Sequence, residues 1–451
     1  MSPKKTWLIS TLLIISDIVT IYIVFRIATW IRIILSPVLQ RPAFTWAESL
    51  PLAQLSLLFI ISIFLLQGLY PGYGLTAVKE LEWINKSIML AFFLIGSVSY
   101  LNKSFQVFPR SILLLAWVLS AGILPAVRFL LRNILSRSIW YGIPVKIFGD
   151  ENWSQEIFRS LTYVKRLGWV PQAMYTLDNI EKSNANKETM AILAPSAHTE
   201  VEKYARILNQ RFRRVVLIRE TDNFGSLWVQ PRDLNGRLGL EFHFHLLARR
   251  NHWIKRGIDL VVSGLLLILL FPILLLIGLL IFIDNPGPIF FRQERLGKNF
   301  KPFKVIKFRT MVVDAEQKLH ELLENDPIAR EQYKKFHKLD DDPRITKLGK
   351  FIRRYSLDEL PQLWNVFRGE MSLSGPRAYM PAELPDMGDY AGTILRVLPG
   401  MTGWWQVLGR HTTTFENRLK MDEYYISNWS LWMDAYIFMK TIFVVLKGDG
   451  A

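Results

Sequence analysis

Long apolar runs constrain this chain more than any other feature. Four of them crowd the first 135 residues, roughly Trp7–Phe25, Leu52–Leu69, Ile84–Leu101 and Ile112–Leu131. Each is near the length that spans a bilayer. The first is too long for a cleaved signal peptide, lacks a small-residue cleavage site and is soon followed by further spans. Lys4 and Lys5 precede the first run, and Arg128, Arg132 and Arg137 follow the fourth. An even number of spans with basic flanks at both ends puts the N-terminus and the downstream chain in the cytoplasm, although Arg32 and Arg41 fall on the outer side in that scheme. Asp17 lies inside the first run, either as a functional intramembrane carboxylate or as a helix-pairing group.

Composition agrees. Among 451 residues, 50% are hydrophobic, and 55 Lys and Arg against 39 Asp and Glu leave a formal charge of +16. That apolar content excludes a disordered chain. The absence of cysteine excludes zinc fingers, disulfide scaffolds, Fe–S clusters and thiol catalysis. Basic charge with long apolar runs points to an anionic membrane surface and phosphorylated ligands. Nucleic acid is disfavoured as a partner, because the basic residues interleave with membrane-facing runs.

Residues 141–247 change character. Val145–Gly149, Met190–Ala194 and Val215–Arg219 read as short buried strands, with helices near Ser154–Lys165 and Glu200–Gln210. This alternation predicts a small α/β, Rossmann-like domain with a parallel sheet. Gly149 ends the first strand, but the residues after it lack the glycines of a dinucleotide-binding turn. The domain is read as structural or dimer-forming.

The fifth run, Leu260–Ile283, contains Pro272 and is basic on both flanks: Lys255 and Arg256 before it, Arg292, Arg295 and Lys298 after it. A fifth span and a wedge that enters and leaves one leaflet both satisfy this pattern, Pro272 being the break in the second. Beyond it, Leu431–Leu446 is amphipathic enough to lie on a membrane.

Chemistry concentrates in four stretches. RQERLGKNFKPFKVIKFRTM (292–311) is strongly basic and suits phosphates, or a solvated surface strand pair. DPRITKLGKFIRRYSLDELPQL (342–363) places the adjacent carboxylates Asp358 and Glu359 among bases, with Ser356 placed to cap the helix they begin. SLSGPR (372–377) and LPGMTGWWQVLGR (398–410) follow.

With KRGID (255–259), these motifs resemble, in order and over nearly all of residues 251–451, the bacterial sugar transferases that load phosphosugars onto polyprenyl phosphate. GLYPGYGL (68–75), the four spans and FGSLWVQPRDLNGRLGLE (224–241) resemble the subgroup of undecaprenyl-phosphate galactose phosphotransferases. Ala378 departs from the usual Gly-Pro-Arg-Pro, which puts the turn's rigidity in question while Arg377 is kept.

The resemblance implies a mixed α and α/β membrane protein: a four-helix transmembrane region (1–140), a cytoplasmic α/β accessory domain (141–247) and a mostly helical monotopic catalytic domain (248–451) with a re-entrant helix near 260–283. It implies a bacterial inner-membrane enzyme, catalytic on the cytoplasmic face and expected to be a homodimer. The reaction moves hexose-1-phosphate, most simply galactose-1-phosphate, from a UDP-sugar to undecaprenyl phosphate and releases UMP, for O-antigen, capsule or exopolysaccharide. Asp358 is then the nucleophile and Glu359 a ligand for Mg²⁺. Lys307, Arg309, Arg344, Arg353 and Arg377 are candidate phosphate contacts, Gln406 lies near the nucleotide, and Trp404 is either nucleotide-facing or packed. The alternatives are the same reaction with UDP-glucose, or a non-catalytic membrane scaffold for polysaccharide assembly.

Overall fold

The computed structural model describes residues 3–39, 45–101, 110–183, 189–195, 201–212, 214–218, 229–233, 238–242, 246, 249–326, 330–331, 342–408 and 413–448. The chain divides after Asp222 into two compact units.

The first unit opens with four helices, α1 (Pro3–Leu39), α2 (Trp46–Leu66), α3 (Ala77–Leu101) and α4 (Arg110–Leu135). They are the four apolar runs, extended at their ends. All four are long and apolar enough to cross a bilayer. Where they meet, Ala28, Ala53, Ser56, Ala91 and Ala116 are fully buried, letting backbones approach closely in a solvent that gives helices no hydrophobic reason to associate. Outward-facing residues such as Trp7, Leu58, Phe93 and Val118 are exposed and apolar, as lipid contact requires. Arg41 lies outside the described residues.

Asp17 pairs helices. Arg128 of α4 donates from Nε to Oδ1 at 2.9 Å and from Nη2 to Oδ2 at 2.5 Å, and the Tyr70 hydroxyl donates to Oδ2 at 2.5 Å. Both charged groups are almost fully buried.

The α/β part follows: β1 (Ile143–Gly149), α5 (Glu151–Tyr163), β2 (Trp169–Tyr175), β3 (Met190–Ala194), α6 (Val201–Arg211) and β4 (Val215–Leu217). The strands form one parallel sheet in the order β2-β1-β3-β4. Sequence reading missed β2 because its WVPQAMY alternates and carries Pro171. Both features belong to an edge strand, and the register with β1 slips between Val145 and Lys146, beside that proline. Gly149 is explained by packing, since a Cβ there would lie 1.8 Å from the Ala194 carbonyl oxygen. Asp150 caps α5 by accepting from the amides of Asn152 and Trp153, the groups a pyrophosphate would need.

The loop carrying GLYPGYGL seats this domain on the helices. The Gly74 amide donates to the Leu167 carbonyl at 2.8 Å, and Tyr73 meets Tyr141 edge-on at 5.1 Å. Glu80 of α3 forms ion pairs with Arg132 of α4 at 2.7 Å and with Arg166 at 2.8 Å.

In the second unit an antiparallel hairpin, β5 (Val229–Asp233) and β6 (Leu238–Phe242), comes first. The sequence reading had grouped it with the α/β domain. Its motif residues 224–228 and 234–237 lie outside the described residues. Then come α7 (Arg249–Asp284), the hairpin β7 (Phe290–Leu296) and β8 (Pro302–Phe308), α8 (Ala315–Asn325), α9 (Lys347–Arg354) and α10 (Gln362–Arg368). The chain closes with β9 (Ser372–Ser374), α11 (Tyr390–Ile394), β10 (Gly400–Thr402), α12 (Trp404–Leu408), α13 (Phe415–Ser427) and α14 (Leu431–Lys447).

The 36 residues of α7 are about 54 Å of helix. The helix continues through Pro272, so any turn at that residue is a bend within one helix and not a break between two. One side packs along its length on the rest of the unit. Leu266, Leu267 and Leu270 lie against Val305, Leu363, Val366 and Leu373, while Ile277 and Ile281 lie against Phe308 and Ile352. The other side exposes Val261, Leu265, Ile268, Leu269, Leu275 and Leu279. Helix α14 is similarly two-faced, with Met433 and Ile437 buried and Ile442, Phe443 and Leu446 exposed.

The buried pair at Asp17 gives a direct test. Arg128→Leu strands a carboxylate in an apolar interior and should cost about 3–5 kcal/mol. Asp17→Leu with Arg128→Leu should recover most of it, because an apolar pair replaces an ion pair at little net cost. Thermal unfolding of the detergent-solubilised chain measures both. A double variant no more stable than Arg128→Leu would mean that the pair contributes more than its own cancellation.

Candidate active site

Helix α9 starts at Thr346, whose Oγ1 accepts from the Gly349 amide at 2.9 Å, and ends in Arg353 and Arg354. A 3-10 turn, Leu357–Glu359, then links α9 to α10. Ser356 does not cap this turn: its backbone is left-handed, with φ 53°, and its hydroxyl makes no capping bond. It serves instead as the corner that swings Asp358 and Glu359 out of the line of α9.

Fully buried Asn365 locks this corner to the hairpin. Its Oδ1 accepts from the Ile306 amide at 3.0 Å and its Nδ2 donates to the Lys304 carbonyl at 2.8 Å. The strand so fixed carries Lys307, whose Nζ donates to Glu359 Oε1 at 2.7 Å. Arg353 is held by its Nε–H bond to Thr310 Oγ1 at 2.8 Å.

Asp358 is thus set among Glu359, Lys307 and Arg353. Burial, and then the Glu359 charge, push its carboxyl up to about 6, while Lys307 and Arg353 oppose the rise. The short turn's dipole, expected from the sequence to favour the anion, does not prevail over these effects. Burial lowers the Arg353 guanidinium, and Asp358 and Asp342 hold it up.

Magnesium typically binds through one or two carboxylates together with water and substrate phosphates. Asp358 and Glu359 supply two carboxylates, and among the described residues no cluster of three His, Asp or Glu exists. The repulsion that helps raise Asp358 is the kind a divalent cation relieves. The donor set therefore fits Mg²⁺ shared with a phosphorylated substrate.

Two candidate arginines are engaged elsewhere. Arg344 forks onto Asp342 at 2.8 and 2.6 Å. Arg309 donates to the Asn285 carbonyl just past α7. Gly287 leaves it room, at φ 144°, where a Cβ would come within 2.4 Å of the guanidinium. Gln406 reaches only the Met401 carbonyl, at 3.4 Å, and Trp404 stacks on Tyr424 at 5.5 Å, so it packs.

Arg377 anchors a second cluster that sequence reading missed. Its amide donates to Asp422 Oδ2 at 3.0 Å, and its guanidinium lies 3.5 Å from Glu383. Arg418 lies 4.6 Å over the Trp405 ring, and Arg377 5.8 Å from the same ring. Arg295 sits 4.0 Å from Glu383, held by the Ala378 carbonyl at 3.1 Å. Burial and Arg377 lower Arg295 to about 10, against the pull of Glu383 and Glu359, so it lies within electrostatic reach of both clusters. Fully buried Asp422 is pushed up to about 7 by desolvation, despite accepting from the Arg377 amide and the Tyr379 hydroxyl. The available signals were the doubled tryptophan and the i, i+4 spacing of Arg418 and Asp422 on α13. Two guanidiniums beside an aromatic ring, with a third sharing Glu383, suit a polyanion bearing a planar base.

A profile of the bacterial sugar transferase family matches residues 250–448. The UDP-galactose-lipid carrier transferase of Erwinia amylovora is 34% identical over 397 residues, covering 82% of each chain. The undecaprenyl-phosphate galactose phosphotransferase of Salmonella typhimurium is 33% identical with the same coverage. The UDP-glucose:undecaprenyl-phosphate glucose-1-phosphate transferase of Escherichia coli is 37% identical over 251 residues, covering 54% of this chain and 51% of that one. With its apolar helices, its catalytic motifs in order and relatives aligned over most of its length, the chain is a membrane protein and a transferase that belongs to the bacterial sugar transferase family.

Proposed function

We propose that the protein transfers galactose-1-phosphate from UDP-galactose to undecaprenyl phosphate, initiating a cell-surface polysaccharide at the cytoplasmic face of a bacterial inner membrane. The observation that carries this reading is the raised Asp358 carboxyl set between Lys307 and Arg353 and beside Glu359. Galactose is chosen over glucose because the two relatives aligned over 82% of the chain have galactose in their names, whereas the glucose enzyme aligns over 54%.

In this mechanism Asp358 Oδ attacks the sugar-bearing β-phosphorus. An acyl phosphate bond forms, the bond to the bridging oxygen breaks, and UMP leaves with the electron pair. The polyprenyl phosphate oxygen then attacks the same phosphorus, forming the diphosphate bond and releasing Asp358 as carboxylate. Lys307 and Arg353 offset the repulsion between carboxylate and phosphate, and Arg295, Arg377 and Arg418 hold the nucleotide diphosphate with Trp405 beside the base. Mg²⁺, if held by Glu359 together with the substrate phosphates, would supply further neutralisation of phosphate charge.

The acceptor head group reaches this site if α7 enters and leaves one leaflet. Support comes from the partners of its two ends. Lys255 binds Asp434 at 2.6 Å, Asp259 accepts from Ser372 at 2.7 Å, and Arg309 binds just beyond the far end. All belong to one body, which a straight span would have to leave behind across the bilayer. We further assign homodimer formation to residues 141–247, which the mass of the solubilised particle tests.

Enzyme with UDP-galactose and Mg²⁺ alone should release about one UMP per active site and retain a hydroxylamine-labile phosphosugar on Asp358. Asp358→Asn should abolish both. No UMP without lipid, with ternary-complex kinetics, would refute the covalent route, and label on Glu359 would exchange the two roles.

The nucleophile must be anionic, so kcat/KM should fall about tenfold per pH unit on the acid side of the Asp358 titration, which lies at about 6 without metal and lower once Mg²⁺ relieves the repulsion from Glu359. Lys307→Gln removes an attraction that lowers Asp358 and should move this limb to higher pH. Because the folded carboxyl sits above its ordinary value, its charge costs the fold stability once pH rises through that window. Asp358→Asn should therefore raise the melting temperature at neutral pH while ending turnover. An unmoved limb in Lys307→Gln would argue against Asp358 as the titrating group.

The chain contains no cysteine, so Arg250→Cys and Pro288→Cys are clean reporters for the two ends of α7. In spheroplasts neither should react with an impermeant maleimide; in inverted vesicles both should. Labelling of one end from outside would make α7 a span.

A further inference from the structure

Near the start of α7 lies a cavity of about 310 Å³ whose lining includes His252, Asp259, Lys298, Ser374, Arg396 and Tyr425. None of Lys307, Arg353, Asp358 or Glu359 lines it. Two further cations at its wall are already engaged: Lys255 with Asp434, and Arg256 with the carbonyls of Val366 and Phe367. The charge of Asp259 is taken up by the Ser372 hydroxyl and the Leu373 amide. Among the described residues, by contrast, neither the Lys298 ammonium nor the Arg396 guanidinium has a carboxylate partner.

Ser374 is the second, independent observation. The residue is fully buried, and its carbonyl accepts from the Tyr425 hydroxyl at 3.0 Å. Its own Oγ has no partner at all. A buried hydroxyl without a partner is an uncompensated desolvation that a ligand oxygen removes. The location narrows the ligand. Trp253, exposed by 69%, and Ile254 adjoin the cavity residues on α7, and the outward apolar face of the helix continues through Ile258 and Val261. An exposed tryptophan at the edge of such a face is the usual marker of the membrane–water boundary.

We infer that this cavity binds the head-group phosphate of an anionic membrane lipid, separately from the reaction centre. Lys298 and Arg396 neutralise the phosphate, and Ser374 Oγ donates to one of its oxygens. Bilayer glycerophospholipid, polyprenyl phosphate and free phosphate share that chemistry, and the bilayer lipid is the assignment made here because it is the phosphate always present at this depth. A lipid held there would fix the entry point of α7, since the cavity is walled by both α7 and β9.

The test uses the full chain, purified in detergent and titrated with phosphatidylglycerol, with binding read by native mass spectrometry. One molecule per chain should bind in preference to phosphatidylcholine. Lys298→Gln and Arg396→Gln should each weaken it about fivefold, as expected for one basic residue facing an anionic lipid. Lys318→Gln, on exposed α8, should leave it unchanged. Unaltered melting temperatures identify variants that keep the fold, and Ser374→Ala gives a third, uncharged probe. Equal phosphatidylglycerol binding in all variants overturns the site. Displacement by equimolar inorganic phosphate overturns the lipid assignment in favour of a free anion. Displacement by polyprenyl phosphate, with the two variants raising its KM in proportion, overturns it in favour of the acceptor.

Discussion

The contact between α7 and the body that surrounds it sets the terms for everything after residue 249. A 36-residue helix this apolar has no stable place in water, so one face must meet lipid and the other protein. The protein face is built from β8, α9, α10 and β9, the elements that carry or frame Lys307, Asp358 and Glu359. Burying that face therefore assembles these elements beside α7 as a consequence of folding. Two buried charged bonds, Lys255 to Asp434 and Ser372 to Asp259, then fix how far along its axis the helix sits. Leucine against leucine slides easily, whereas a stranded charge does not.

The same packing creates the electrostatic tension that the chemistry uses. Asp358 and Glu359 are chain neighbours on a tight turn and cannot move apart, and burial against α9 and β8 removes the water that would screen them. Lys307 and Arg353 only partly offset this, and the carboxyl stays above its ordinary range. A carboxylate so placed is relieved by whatever removes or neutralises its charge, because burial and Glu359 both oppose the anion. The fold bears the cost in the resting state, as active sites commonly do.

Much of this was legible in the sequence where a single residue type decides the outcome. Apolar runs of 18 or more residues leave few options but membrane helices, and the adjacent acids among bases do come to lie beside Lys307 and Arg353. Legibility failed where the partner decides. Arg344 and Arg309 read as phosphate ligands because arginine is the right type, yet Asp342 sits two residues before one and the Asn285 carbonyl meets the other. Ser356 fits the composition of a cap, but the chain turns left-handed there. Arg295, Trp405 and Arg418 were passed over because they come from three separate segments, and nothing local in any of them announces the others. β2 escaped because a half-buried edge strand with a proline carries little apolar signal.

The +16 charge therefore divides by what each cation faces, and that division is the functional content of the structure. Arg128, Lys255 and Arg344 are neutralised inside the protein and hold elements together. Lys307 pairs with Glu359, Arg295 and Arg377 share the single carboxylate of Glu383, and Arg353 and Arg418 lie beside Asp358 and Trp405, so in these two clusters cations outnumber the acids they touch. Lys298 and Arg396 line a cavity whose one acid, Asp259, is bonded to the Ser372 hydroxyl and the Leu373 amide. A net charge says only that anions will be attracted. Which anion is attracted where follows from how fully each cation is already paired, and on the functional reading proposed above a nucleotide diphosphate and a lipid phosphate would complete the pairing of the two groups that are not.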